Sequence, residues 1–216
     1  MLRFNAMVLA MLSAASAVHA RDYGLVDKAT QLVVSTAEEG VKQARDIFKQ
    51  SSATPLHATG SIEVAFSPDH GAEELVIRAT DSASADLRMM AYALTSSRIT
   101  SAVVRAAKRG VKVYVLADYK QNLGPGMSPK GKAALSAMAL AGVQVRVVDA
   151  YPIFHDKVQI VDGKSVQTGS FNYSEAAAKK NSENVIVHWN NQQLAQAYGE
   201  HFARNWKISK PFKPDF

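Results

Sequence analysis

His155 and Lys157 stand two residues apart, and Ser170 and Asn172 repeat that spacing a short way downstream. In an extended strand, side chains alternate between faces. Residues two apart therefore point the same way, about 7 Å from each other along the strand. The first pair sets an imidazole beside a fixed positive charge, and the second sets a hydroxyl beside an amide. A neutral imidazole nitrogen is a nucleophile once its other nitrogen is held. An ammonium, a hydroxyl and an amide are donors suited to oxygens on which charge builds. The four side chains together suit a tetrahedral oxyanion such as a phosphodiester.

These residues need a rigid frame, and the pattern of apolar residues predicts one. Residues 61–66, 111–116, 143–148, 155–161, 165–168 and 184–188 read as strands. The run at 111–116 is nearly all apolar, as in a sheet buried on both faces. Asp162-Gly163 is a tight-turn signal that joins 155–161 and 165–168 into a hairpin. Residues 99–108, 129–141 and 192–206 read as helices, with Gly110 and Gly142 following the first two. Residues 74–77 are expected to be a strand and 83–95 a helix. Strand and helix alternate, so the expected fold is α/β, a mixed sheet flanked by helices on both faces.

The N-terminal part differs. Arg3, an apolar run from Met7 to Val18 and Val18-His19-Ala20 have the layout of a secretory signal over residues 1–20, and the run is shorter than a membrane span requires. An uncleaved anchor is the rival reading. Residues 21–50 carry Val26, Ala29, Val33, Ala37, Val41, Ala44 and Phe48 at helical spacing, which predicts an amphipathic helix. Its apolar face suits packing on its own domain, a partner, a dimer contact or a membrane surface. Residues 51–60 read as a linker, and 61–216 as the domain that carries the chemistry. The chain has no cysteine, so disulfides and thiolate metal sites are excluded. With 25 basic against 19 acidic residues its formal charge is +6. A surplus of that sign favours a polyanionic partner.

Written in full, the central stretch is H-x-K-x4-D-x6-G-S-x-N, from His155 through Asp162 and Gly169 to Asn172. It resembles the signature of the phospholipase D superfamily. Ser182-Glu183-Asn184, Phe66-Ser67-Pro68, the stretch from Arg88 to Tyr92 and that from Arg109 to Val113 resemble its small bacterial single-motif endonuclease branch. The resemblance runs from about Ile62 to about Lys207. It implies a phospholipase D/nuclease-like fold, with His155 as nucleophile, Glu183 as the carboxylate that orients it, and Lys157, Ser170 and Asn172 as catalytic phosphate ligands. Asp162 opens the tight turn and is assigned a structural role. Gly169 is expected to allow close approach of the backbone.

In-line displacement at phosphorus needs a nucleophile on one side and an acid behind the leaving oxygen. The resemblance implies two motif copies or two chains per site. One copy is present, so a two-fold homodimer is expected. The scheme needs no cofactor and no metal, and His57, Asp69 and His70 are read as surface residues. Lys120, Lys130 and Lys132, around Gly124-Pro125-Gly126, are expected in a long loop suited either to tracking a nucleic-acid backbone or to plain solvation. Tyr151, Phe154 and Tyr173 surround the motif and suit base stacking or packing, with packing favoured for Phe154. Trp189 and Trp206 are read as structural. The function expected is a secreted, periplasmic, metal-independent phosphodiesterase that hydrolyses DNA, or RNA, with little sequence preference. The alternatives are a phospholipase D or phosphatidyl transferase acting on phospholipids, and a non-catalytic nucleic-acid-binding module.

Overall fold

A computed structural model describes residues 23–51, 56–57 and 59–214. The expected signal at residues 1–20 lies outside these, as do linker residues 52–55 and 58. The chain divides into two units, Met1–Pro55 and Leu56–Phe216. In the first, α1 (Tyr23–Ser51) runs for 29 residues, and its described side chains, 27–42, are all exposed. No described helix is long and apolar enough to cross a membrane.

The second unit is built on one eight-stranded sheet. Its elements are β1 (Ser61–Ser67), α2 (Ala72–Asp81), β2 (Asp86–Ala91), α3 (Ser97–Lys108), β3 (Lys112–Asp118), α4 (Tyr119–Leu123), α5 (Pro129–Leu140), β4 (Gln144–Val148), β5 (Lys157–Val161), β6 (Ser165–Gly169), α6 (Glu175–Lys179), β7 (Glu183–Trp189), α7 (Gln192–Ile208) and β8 (Lys210–Pro211). The spatial order is β1-β7-β6-β5-β2-β3-β4-β8. The β2–β3 and β3–β4 pairs are parallel, and every other pair is antiparallel. Helices cover both faces. On one, Leu75, Val76 and Ala79 of α2, Ile99 and Val103 of α3 and Leu135 and Met138 of α5 pack on Leu87, Met89, Val113 and Val115. On the other, Ala195 and Phe202 of α7 pack on Met90, Leu116, Val158, Ile160 and Val166.

Two expected elements exchange type. Residues 74–77 lie in α2, because Leu75, Val76 and Ala79 make a helical stripe that buries against the sheet. Residues 83–95, rich in the helix formers Ala, Leu and Met, contain β2 instead. β2 lies in the middle of the sheet with Leu87, Met89, Met90 and Ala91 wholly buried. Burial on both faces outweighs a propensity difference of a few tenths of a kcal/mol per residue. The loop expected around Lys120, Lys130 and Lys132 is also mostly helical. Lys120 sits in α4, while Lys130 and Lys132 sit in α5.

The hairpin forms as expected, with Asp162 at φ 52 and Gly163 at φ 61. Asp162 does more than turn the chain. Its Oδ1 accepts from the backbone N–H of Ala85 at 2.8 Å and of Asp86 at 3.0 Å, and its Oδ2 accepts from the Ser84 hydroxyl at 2.7 Å. Burial acts against the charged form, yet these hydrogen bonds together hold the carboxyl below the ordinary aspartate value. The hairpin tip is thereby fastened to the start of β2, and β5 is set beside it in register.

Candidate active site

β2 and β3 run parallel and end at the same edge of the sheet, and β5 enters from that edge, with Lys157 opposite Ala91. β6 ends there and β7 starts there, with Gly169 opposite Val185. The sequence motif is therefore gathered at one rim, outside the carboxyl ends of the parallel strands.

The strand expected from His155 begins two residues later, at Lys157, and His155 lies in the loop that leads in. That segment is fixed at several points. Phe154 is buried and donates its N–H to Asp118 Oδ2 at 2.8 Å. The Asp156 carbonyl accepts from Tyr92 N–H at 2.9 Å, and its Oδ2 lies 3.1 Å from His201 Nε2 on α7. His155 itself is exposed, with its ring edge-on to Tyr92 at a centroid distance of 4.6 Å. Among the described residues neither of its ring nitrogens has a hydrogen-bond partner.

Lys157 is buried, 6% exposed, and its ammonium folds back to donate to the His155 carbonyl at 2.8 Å. The same ammonium stands 5.2 Å from the centre of the Tyr92 ring. Burial lowers its pKa below the ordinary lysine value, against the pull of the Asp156 and Glu183 carboxylates. A desolvated ammonium is a strong electrostatic partner for any anion that enters.

The other half of the motif forms a second cluster. Ser170 Oγ donates to Glu183 Oε2 at 2.5 Å and accepts from Asn184 N–H at 3.1 Å and Asn184 Nδ2 at 3.2 Å. Asn181 Nδ2 donates to Glu183 Oε1 at 3.0 Å. Glu183 was expected to hold His155; within the chain it is held by Ser170 and Asn181. Asn172 is half-buried, and its Oδ1 is buried without a partner among the described residues. Such an atom is completed by a ligand or by solvent. Gly169 permits this cluster to form. Its φ is 147°, and a Cβ there would lie 2.2 Å from the carbonyl oxygen of Asn184.

Tyr92, Asn181, Asn184 and the Asp156–His201 pair carry no role in the sequence reading. Tyr92 and Asn184 fall inside stretches that signalled the family, but no spacing rule linked them to His155 or Ser170. Tyr173, by contrast, is fully buried, and its hydroxyl donates to Gln167 Oε1 at 2.8 Å, so it stacks on no ligand. Phe154 packs in the core, and Tyr151 is exposed. Among the described residues no group of three or more His, Asp or Glu side chains is placed to hold a metal ion.

Residues 76–206 match the family model described as cardiolipin synthase, PLD-like domain. A protein named phospholipase D from Rickettsia typhi is 36% identical over 146 residues, which cover 68% of this chain and 66% of the relative. A mitochondrial cardiolipin hydrolase from Canis lupus familiaris is 32% identical over 149 residues, covering 68% of this chain and 56% of that one. The chain thus spans little more than half to about two thirds of these relatives' lengths. Among solved structures, Nuc from Salmonella typhimurium, a phospholipase D family member, superposes with a TM-score of 0.68 at 42% identity, covering 71% of this chain and 98% of Nuc.

Proposed function

Because this chain belongs to the phospholipase D superfamily and is a phosphodiesterase of that type, we propose that its substrate is DNA, or RNA, cut with little sequence preference and without a divalent metal. The observation that carries the chemistry is the rim itself, where an exposed imidazole, a buried ammonium and a hydroxyl–carboxylate–amide cluster meet. The net charge of +6 favours a polyanion over a neutral lipid surface.

In this scheme one His155 nitrogen attacks phosphorus and the P–O bond to the leaving nucleotide breaks, giving a phosphohistidine. Lys157, Ser170 and Asn172 supply donors to the nonbridging oxygens as charge builds there. The chain contributes one imidazole, and the leaving oxygen needs a proton. We assign that proton to the partner subunit's His155 in a two-fold dimer. The same group then takes a proton from the water that hydrolyses the phosphohistidine, which restores both rings. We read residues 1–20 as a secretory signal, which would carry the enzyme to the periplasm.

A second reading, hydrolysis of a phospholipid, draws support from Ile153, two residues from His155 and 54% exposed, and from the names of the relatives. Plasmid nicking by protein recovered from a periplasmic extract, at the mass of a dimer, with and without EDTA, tests the proposal. Wild type is expected to nick in EDTA, and His155→Ala to lose turnover by about 10⁴-fold or more while still binding DNA. Loss of activity in EDTA with recovery on adding magnesium, comparable cleavage by His155→Ala, or cleavage of phospholipid vesicles alone would each defeat it.

A further inference from the structure

His155 acts through its ring, and the chain holds that ring indirectly. Tyr92 packs edge-on against it, with centroids 4.6 Å apart. The remaining hold is on the backbone to either side. Phe154 N–H donates to Asp118 Oδ2 at 2.8 Å, and the Asp156 carbonyl accepts from Tyr92 N–H at 2.9 Å. Two such points leave the segment between them free to rock about the line that joins them. A third point off that line stops the rocking, and in-line attack needs a nucleophile whose direction is fixed.

The Asp156 side chain supplies that point. The Tyr92 bond carries the β2–β5 ladder one residue beyond Lys157, so Asp156 keeps the alternation of β5. It shares a side of the strand with Val158 and Ile160, which pack under α7, while Lys157 takes the other side. There Asp156 Oδ2 lies 3.1 Å from Nε2 of His201, 45 residues away along the chain. α7 gives His201 a rigid support. The next residue, Phe202, is buried in the core and stacks on Trp206 with centroids 5.4 Å apart. The buried Asn205 donates its amide to the His201 carbonyl at 3.0 Å.

The far side of the ring sets the polarity of the contact. Arg204 Nη2 lies 3.5 Å from His201 Nδ1. A guanidinium only donates, so Nδ1 is the acceptor and the ring proton sits on Nε2, facing the carboxylate. Asn205 Nδ2, 3.3 Å from Nε2, bounds the same side. His201 thus makes one directed hydrogen bond to Asp156. Both side chains are partly exposed, and a pair of that kind adds little to stability. What it fixes is a position.

We propose that His201 is a positioning residue for the reaction: through Asp156 it holds the segment that carries His155 and Lys157 at the angle that attack requires. The inference rests on His155 as nucleophile, and it is independent of whether the substrate is nucleic acid or lipid. The test is steady-state hydrolysis of bis(4-nitrophenyl) phosphate, a phosphodiester of neither class, by the full chain. A misplacement of about 1 Å costs about 10²-fold, and two backbone bonds remain here, so His201→Ala and Asp156→Ala should each lower kcat about 10-fold with KM unchanged. The double variant should lose no more than either single one, because the two residues make one contact. His201→Gln, whose amide can donate to the same carboxylate, should return kcat to within about 3-fold of the parent. Urea midpoints should stay near that of the parent. A kcat for His201→Ala within about 2-fold of the parent would overturn the positioning role, whether or not the urea midpoint falls. Losses that multiply in the double variant, or no recovery with His201→Gln, would overturn it too. In each of these cases an inactive His155→Ala would leave the nucleophile standing. Turnover by His155→Ala at the parent's rate would overturn both.

Discussion

Replacing Gly169 by alanine should damage both the fold and the site, by an amount the geometry sets. The new Cβ would lie 2.2 Å from the Asn184 carbonyl oxygen. Ordinary contact between such atoms is about 3.3 Å or more, so β6 and β7 must part locally by about 1 Å. A non-glycine residue at φ 147° adds about 1–3 kcal/mol of backbone strain. The Ser170 N–H to Asn184 carbonyl bond, 3.2 Å long, and its neighbours in the ladder would weaken, each worth about 1 kcal/mol. The total is about 2–4 kcal/mol. In urea, with a slope of about 1–3 kcal/mol per molar, the midpoint should fall by about 1–2 M. Displacement of Ser170 against Glu183 by about 1 Å should also cost about 10²-fold in turnover under conditions where the variant is folded. Gly163→Ala is the control. Gly163 also has a positive φ, 61°, but an added Cβ there meets nothing within 4 Å. It should lose about 1 kcal/mol and keep its turnover. If Gly169→Ala unfolds at the same urea concentration as Gly163→Ala and turns over like the parent, the close β6–β7 approach does not hold the site, and the reasoning fails.

Lys157→Met should lower turnover about 10²–10³-fold, as expected for loss of one preorganised donor. Its stability effect depends on pH in a definite sense. Burial sets the folded-state pKa of Lys157 below 10.5. The unfolded chain therefore holds the proton more tightly, and stability rises with pH as 10.5 is approached from below. The parent should gain stability relative to Lys157→Met as pH rises towards 10.5 in paired urea titrations, and parallel curves would contradict the burial argument. Asp162→Asn should cost about 1.5–3 kcal/mol near neutral pH, because it weakens charge-assisted bonds to Ser84, Ala85 and Asp86, yet leave turnover intact. Its folded-state pKa lies below 3.8, so the stabilisation is complete above that value and disappears as pH falls through the folded pKa. A large loss of turnover without loss of stability would instead place Asp162 in the chemistry.

The sequence by itself determined the order of most elements, the hairpin between β5 and β6, and the identity of the motif. Each rests on a local rule. Asp162-Gly163 suits positive φ at both positions, and apolar runs at 111–116 and 143–148 fit a buried parallel sheet whatever surrounds them. Local rules failed at residues 74–77 and 83–95, where short apolar runs suit strand and helix alike and only the neighbours decide. Packing under α2 and α7 made β2 a strand, and that decision brought Tyr92, at its end, against His155 and Lys157. Tertiary structure also decided the partner of Glu183. Spacing along the chain fixes which face a residue occupies, but the β6–β7 register fixes which side chain sits opposite. That register set the Ser170 hydroxyl, rather than the imidazole, against the carboxylate. Lys132 and Lys213, far apart in sequence, line one cavity because β8 pairs with β4. No window along the sequence contains that pairing of strands.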